Sequence, residues 1–256
     1  MRRSLPSDWS NPICTISTFD AKSEVVEIEV IYRHEPLETR HDEHHRQVVV
    51  WMGAVDNCHD MILHELARKH NPEALSVAII SAANDRANDV EKIEEKLLQT
   101  FDSVIFASHQ HVGKLARLAG TAIISPGDEW QFRCSTWHDV RDIVRTNSCL
   151  RPARYGIGRA KGQSRANIAI EICLKEIGLQ QYGLADAEGA LLLIRSGSQD
   201  LLGKEVKEIS RQFREMCGVT TLVEESINYD ESIEEGFLEV AVFAFGGPCL
   251  PQAQPL

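Results

Sequence analysis

The sequence predicts an α/β protein in which a truncated parallel-sheet domain is followed by an α+β domain, and three observations predict it. From Val48 onward, apolar runs of strand length alternate with segments of helical period. One of those segments, residues 89–101, is strongly amphipathic: Val90, Ile93, Leu97, Leu98 and Phe101 share a face, while Glu91, Lys92, Glu94, Glu95 and Lys96 fill the rest. The second half then reads as β-α-β-α-β-β, the order of a sheet with helices on it rather than of a helical bundle.

Residues 1–47 open with a Ser/Pro/Asn-rich lead, after which EVVEIEVIYRH (24–34) alternates apolar and polar residues as a half-buried strand does. An amino-terminal extension with one strand is expected here. Residues 48–148 give strand VVVWMG, helix DMILHELARKH, strand LSVAIIS, the amphipathic helix, and strand SVIFAS, the order of parallel strands joined by crossover helices. The segment HVGKLARLAGTAIISPGDEW leads into WHDVRDIVRTN, helical in period, with Ser135 or Thr136 as its cap.

Residues 149–247 give a strand or turn at 154–162, a helix at 164–177, a strand at 190–196, a helix at 203–217, and strands at 220–227 and 237–245. The acidic loop EESINYDESIEE leaves those last two strands close enough in sequence to be expected as an antiparallel pair. Residues 248–256 read as a tail.

Composition narrows the functional classes. At 256 residues and 43% apolar content, the chain can bury one large core or two ordinary domains. A formal net charge of −11 argues against nucleic acid, which needs clustered Lys/Arg to displace counterions from phosphates. No run approaches the roughly 18 apolar residues of a membrane span, and MRRSLPSDWSNP has no apolar stretch behind its arginines. A cytoplasmic protein without a membrane partner is expected. The seven cysteines are scattered and never spaced as CxxC, which indicates reduced thiols rather than disulfides or zinc.

The stretch GIGRAKGQSRANIAIE (156–171) resembles the strand-turn-helix pattern G-x-G-x-A-x-G-x-x-R-A of the carboxy-terminal domain of FtsZ, the bacterial division protein. GALLLIRSGSQDLLGKEVKEISRQF and INYDESIEEGFLEVAVFAFGG continue that resemblance in order and spacing. It implies an FtsZ/tubulin-type fold, with residues 48–148 a degenerate GTPase-like domain and 149–247 the FtsZ-like carboxy-terminal domain. Upstream, CSTWHDVRDIV is similar to the family's catalytic loop and next helix, N-x-D-F-x-D-V-x-x-V. The positions that match its asparagine and two acids are Cys134, Thr136 and Asp139, so Asp139 is a residual acid and the water-activating pair is incomplete.

In the first half the resemblance lays the family's phosphate loop, G-G-G-T-G-T-G, over Met52, Gly53, Ala54, Val55, Asp56, Asn57 and Cys58. A phosphate loop needs glycine for close approach and for amides that converge on the anion. Here side chains crowd that path, and Asp56 and Asp60 bring negative charge. Like unit charges at about 4 Å repel by about 4 kcal/mol at an effective dielectric of about 20. No cofactor is expected, and GTP only if a divergent site survives. The family's first strand and its GGGGxN loop find no counterpart before Val48.

The resemblance implies a non-hydrolysing protein that binds FtsZ or itself, with Thr136, Asp139 and Arg141 as interface candidates; a slow GTPase and a scaffold unrelated to division are the alternatives. Blander readings stand beside the sharp ones. Asp139 lies where a first-turn acid favours the helix dipole. Gly156, Gly158, Gly162 and Arg165 read as structural turn residues rather than a phosphate site. His41, Asp42, Glu43, His44 and His45 form a charged loop rather than a metal site. Cys134 and His138 have no orienting acid that would make them nucleophile and base. Glu224, Glu225, Asp230, Glu231, Glu234 and Glu235 read as a solvated turn.

Overall fold

The computed structural model describes residues 14–19, 25–31, 48–68, 74–81, 87–124, 137–146, 150–178, 183–197 and 201–247. By contacts the chain divides into two compact units, Met1–Asp102 with Phe106–Gly120, and Ser103–Ile105 with Thr121–Leu256.

Strands β1 (Cys14–Phe19), β2 (Val25–Ile31), β3 (Val48–Ala54), β4 (Leu75–Ser81) and β5 (Ser103–Ala107) form one sheet in the order β2-β1-β3-β4-β5. β1, β3 and β4 run parallel, and β2 lies antiparallel to β1. Every position of β4 and the first four of β3 are buried, as expected for near-continuous apolar strands covered on both faces. Helices α1 (Cys58–Arg68) and α2 (Ala87–Thr100) join β3 to β4 and β4 to β5, and α3 (Val112–Ile124) follows β5.

The expectation of one strand before residue 47 is corrected to two. CTISTF is rich in Ser and Thr, and its place is set by pairing of Cys14 with Val48, thirty-four residues away, which no local pattern reveals. It gives β3 a parallel neighbour on its amino-terminal side. Two polar links fix the first unit: Trp51 Nε1–H donates to Glu65 Oε2 at 2.7 Å, tying α1 to β3, and the Asp102 carboxylate accepts the Ser76 N–H at 2.8 Å. Glu65 is fully buried, so that indole bond helps offset the desolvation of its carboxylate.

The second unit contains α4 (Trp137–Arg145), β6 (Arg154–Lys161), α5 (Arg165–Gly178), β7 (Gly189–Ser196), α6 (Gly203–Met216), β8 (Leu222–Tyr229) and β9 (Phe237–Phe245). The sheet order is β6-β9-β7-β8. The expected β8–β9 hairpin does not form: β9 pairs antiparallel with both β6 and β7, and β8 pairs parallel with β7. Burial explains the outcome. β9 is buried at every position after Phe237 and belongs inside the sheet, whereas β8 is mostly half-exposed and suits an edge.

One face of this sheet carries α5 and α6 over a core that includes Ala169, Ile170, Cys173, Leu192, Phe213 and Val240. The opposite face receives α4 through buried Val140, Ile143 and Val144, with the Ile143 backbone close over Gly189. Gly156 and Gly158 lie within strand β6, not in a turn, which corrects the turn reading for these two. A Cβ on Gly158 would lie 1.8 Å from the Ala169 carbonyl oxygen, and one on Gly156 2.2 Å from that of Cys173. Gly162 does occupy a turn, with φ of 98°. The Arg165 guanidinium grips the Glu205 carboxylate bidentately at 2.9 and 3.0 Å, and both side chains are buried.

Candidate functional site

The seven residues aligned with a phosphate loop form the turn from β3 into α1 in the first unit. β3 ends at Ala54, whose backbone is still extended at φ −87° and ψ 163°. Val55–Asn57 make a single 3-10 turn and α1 begins at once with Cys58. The Cys58 N–H donates to Val55 O, and its thiol donates to Ala54 O at 3.6 Å. One amide at the helix start is therefore already engaged within the turn.

Side-chain placement in the turn follows the sequence. Met52, Gly53, Ala54 and Val55 are half-buried, Asp56 is exposed and Cys58 is fully buried. Burial, with the nearby Asp56 charge adding to it, pushes the Cys58 thiol up to about 12. Cys58 is thus a neutral packing residue and not a nucleophile or anion ligand. Asp56 sits in the 3-10 turn and Asp60 in the first turn of α1, where their charge favours the positive end of the helix dipole. The positive-φ glycines among the described residues are Gly162, Gly236 and Gly246, so Gly53 performs no left-handed turn here.

The interface candidates lie on α4 in the second unit, apart from Thr136, which is outside the described residues. Asp139 is exposed in the first turn, and half-buried Arg141 has Nε 3.8 Å from Asp142 Oδ1. Val140, Ile143 and Val144 are the buried side of this helix, so its acidic residues Asp139 and Asp142 are turned outward. Cys134 and the cluster at 41–45 also lie outside the described residues; His138 is exposed on α4. Among the described residues no group of three or more His, Cys, Asp or Glu is arranged to hold a metal ion.

Three of the six acids of the run, Glu225, Asp230 and Glu234, are paired with basic side chains of the same unit rather than simply solvated. Arg195 pairs with Asp230 and Glu239, Lys161 with Glu234 at 2.8 Å, and Arg214 with Glu225 at 2.6 Å. Burial raises the Asp230 carboxyl, but hydrogen bonds from Ser232 and the Arg195 charge outweigh it and hold the group below its usual value.

No protein-family model matches the chain. It is 32% identical over 108 residues to cell division protein FtsZ 1 of Rhizobium meliloti (strain 1021), a match covering 42% of this chain and 18% of that protein. Its fold matches a single-substitution mutant of FtsZ from M. jannaschii at TM-score 0.63 and 16% identity, over 78% of this chain and 65% of that one. The chain is related to the FtsZ/tubulin superfamily. An FtsZ dimer of M. jannaschii gives TM-score 0.61 at 16% identity, over 77% of this chain and 62% of that one. CetZ1 from Haloferax volcanii, solved as a GDP-bound monomer, gives 0.53 at 9% identity, over 81% and 66%. The chain thus spans less than two thirds of the length of each of these four proteins.

Against that FtsZ-type frame, sequence reading overlooked one pair. Ser81 Oγ and His109 Nδ1 lie 3.4 Å apart where β4 and β5 end, and ligands of open α/β sheets gather at the carboxyl ends of strands. The signal was positional: each residue follows an apolar strand run at its carboxyl end.

Proposed function

We propose that this chain is a non-hydrolysing FtsZ-like protein of the cytoplasm that binds FtsZ, or further copies of itself, and modulates filament assembly in cell division. The observation that carries the reading is the β3–α1 turn. Met52, Ala54, Asp56 and Cys58 stand where the family loop has glycine, the backbone passes through one tight 3-10 turn, and Asp56 and Asp60 set negative charge where a triphosphate would need amides. The sequence partition into an extension at 1–47, a degenerate GTPase-like domain at 48–148, a carboxy-terminal domain at 149–247 and a tail belongs to the same proposal.

In this reading α4 supplies the surviving contact surface. The outward Asp139 and the half-buried Arg141, with Thr136 before them, meet the partner, while the inert turn offers no pocket to a next subunit. A chain competent at one end and blind at the other caps a growing filament. Adding equimolar protein to FtsZ polymerising with GTP is expected to reduce sedimented polymer, with Asp139→Lys abolishing the effect. Unchanged polymer at equimolar protein would refute the modulator role.

The rival reading, a divergent slow GTPase, draws support from the GDP-bound state of the CetZ1 relative. Calorimetric titration with GTP separates the two. We expect no heat of binding at micromolar protein, and a micromolar dissociation constant would transfer the case to the rival.

A further inference from the structure

Strand β8 is an edge of the second sheet, and its backbone orientation can be read from its flanks. Leu222 N–H donates to Glu188 O at 2.9 Å and Asp230 N–H to Ser196 O at 2.9 Å, so the even-numbered residues turn their amides toward β7. In a parallel ladder the alternate residues face away. Val223, Glu225, Ile227 and Tyr229 therefore present their N–H and C=O groups along the free edge of the sheet.

Among the described residues this edge lacks the usual protection. The opposite edge, β6, has its outward Ile157 N–H accepted by the Glu176 carboxylate at 2.6 Å, which blocks pairing there. β8 is eight residues long, contains no Pro or Lys, and carries exposed Leu222 and Tyr229 at its two ends. Its Glu225 carboxylate is held by α6, 2.6 Å from Arg214 Nη2 and accepting from the Ser210 hydroxyl at 2.7 Å. Such a strand is a template for a further strand.

We infer that β8 pairs antiparallel with β8 of a second copy of this chain, in the register centred on Ser226. The choice of occupant rests on charge. Two strands whose odd residues face each other have three nearly full-length registers, centred on Glu225, Ser226 or Ile227. The first sets Glu225 against Glu225, and the last sets Glu224 against Asp230 twice over. The Ser226 register opposes no two acids: Val223 meets Tyr229, Glu225 meets Ile227, Glu224 meets Asn228 and Leu222 meets Asp230. Apolar and acidic positions interleave so that the strand complements its own reverse. This pairing uses other groups than the filament contact proposed for α4, namely the outward backbone N–H and C=O of Val223, Glu225, Ile227 and Tyr229 rather than Thr136, Asp139 and Arg141.

The test uses sedimentation velocity of the full chain over a range of concentrations, with variants at Asn228, a half-buried position that faces Glu224 only across the two-fold axis. The wild-type chain is expected to dimerise reversibly. Asn228→Glu should weaken the dimer by about tenfold or more and Asn228→Lys should tighten it several-fold, because each change acts twice. Circular dichroism of both variants should match the wild type. A chain still monomeric at about 100 µM would overturn the inference. So would a dimer that N228E and N228K leave equally strong, since its contact would then lie elsewhere, or complexes only with some other protein.

Discussion

Arg165 and Glu205 form a buried charge pair whose partners stand 40 residues apart, a separation at which no spacing rule announces a contact. Glu205 Oε2 also accepts the Leu202 N–H at 2.9 Å, so the same carboxylate caps the start of α6. Replacing Arg165 by Met takes away the charge partner of a carboxylate that stays buried, and the expected cost is about 3–5 kcal/mol in urea unfolding. R165M combined with E205L should recover most of that loss; a single-variant cost below about 1 kcal/mol would mean that the carboxylate reaches water. The thiols give a second test at this scale. Burial pushes Cys58 up to about 12 and raises Cys173, whose Sγ also donates to Gly156 O at 3.1 Å. Since the thiolate is the reacting species, alkylation at neutral pH followed by peptide mapping should leave both unlabelled until the chain is unfolded. Labelling of Cys58 in the native chain would show that the β3–α1 turn opens.

Elements whose identity depends on their own pattern were legible in the sequence, and those that depend on a distant partner were not. LSVAIIS and the strand at 237–245 begin and end where the apolar runs do, because each is buried along nearly its whole length. β1 escaped because CTISTF has little apolar signal, and the β8–β9 hairpin was wrongly expected because short separation said nothing about which strand the core would draw inward. The replacement of glycines between β3 and α1 was plain in the sequence, but the collapse of that loop into one 3-10 turn was not. Gly158 tests the strand–helix seam directly. An added methyl would press on the Ala169 carbonyl, so Gly158→Ala should cost about 1–3 kcal/mol or more, while Gly162→Asn, in a left-handed turn with open space, should cost far less. The acidic turn carries a pH dependence. Asp230 ionises below its ordinary value of 3.8, so its contribution is complete above that value and is lost as pH falls through the depressed one. Glu234, lowered by its hydrogen bond from Lys161, acts in the same direction. Urea midpoints of Asp230→Asn should therefore fall less steeply with acid than those of the wild type, and identical slopes would assign the acid sensitivity elsewhere.

At the scale of the whole molecule, the carboxy-terminal sheet must be covered on two faces, and one cover comes from within its sequence while the other comes from before it. α5 and α6 come from between its strands and shelter Leu192, Ile194, Val240 and Val242. The other face bears Leu191, Leu193, Ala241 and Phe243, all nearly fully buried, and α4 packs there although it precedes the first strand of the sheet. The contact boundary agrees, since the second unit begins well before β6, at Thr121, and even takes in Ser103–Ile105. The Ala153 N–H donates to Val104 O at 2.7 Å, a bond that extends the edge beside β6. A fragment cut at residue 150, near the expected start of the carboxy-terminal domain, keeps the whole sheet but loses α4. It should melt lower and bind a hydrophobic dye more strongly than a fragment that starts at 121. Burial of those four apolar side chains is worth more than the loop that joins α4 to β6 costs in closure entropy, so the longer fragment should win despite its extra chain. Equal melting temperatures and equal dye binding would mean that α4 contributes nothing to the sheet, and the surface assigned to Asp139 and Arg141 would then have no fixed support.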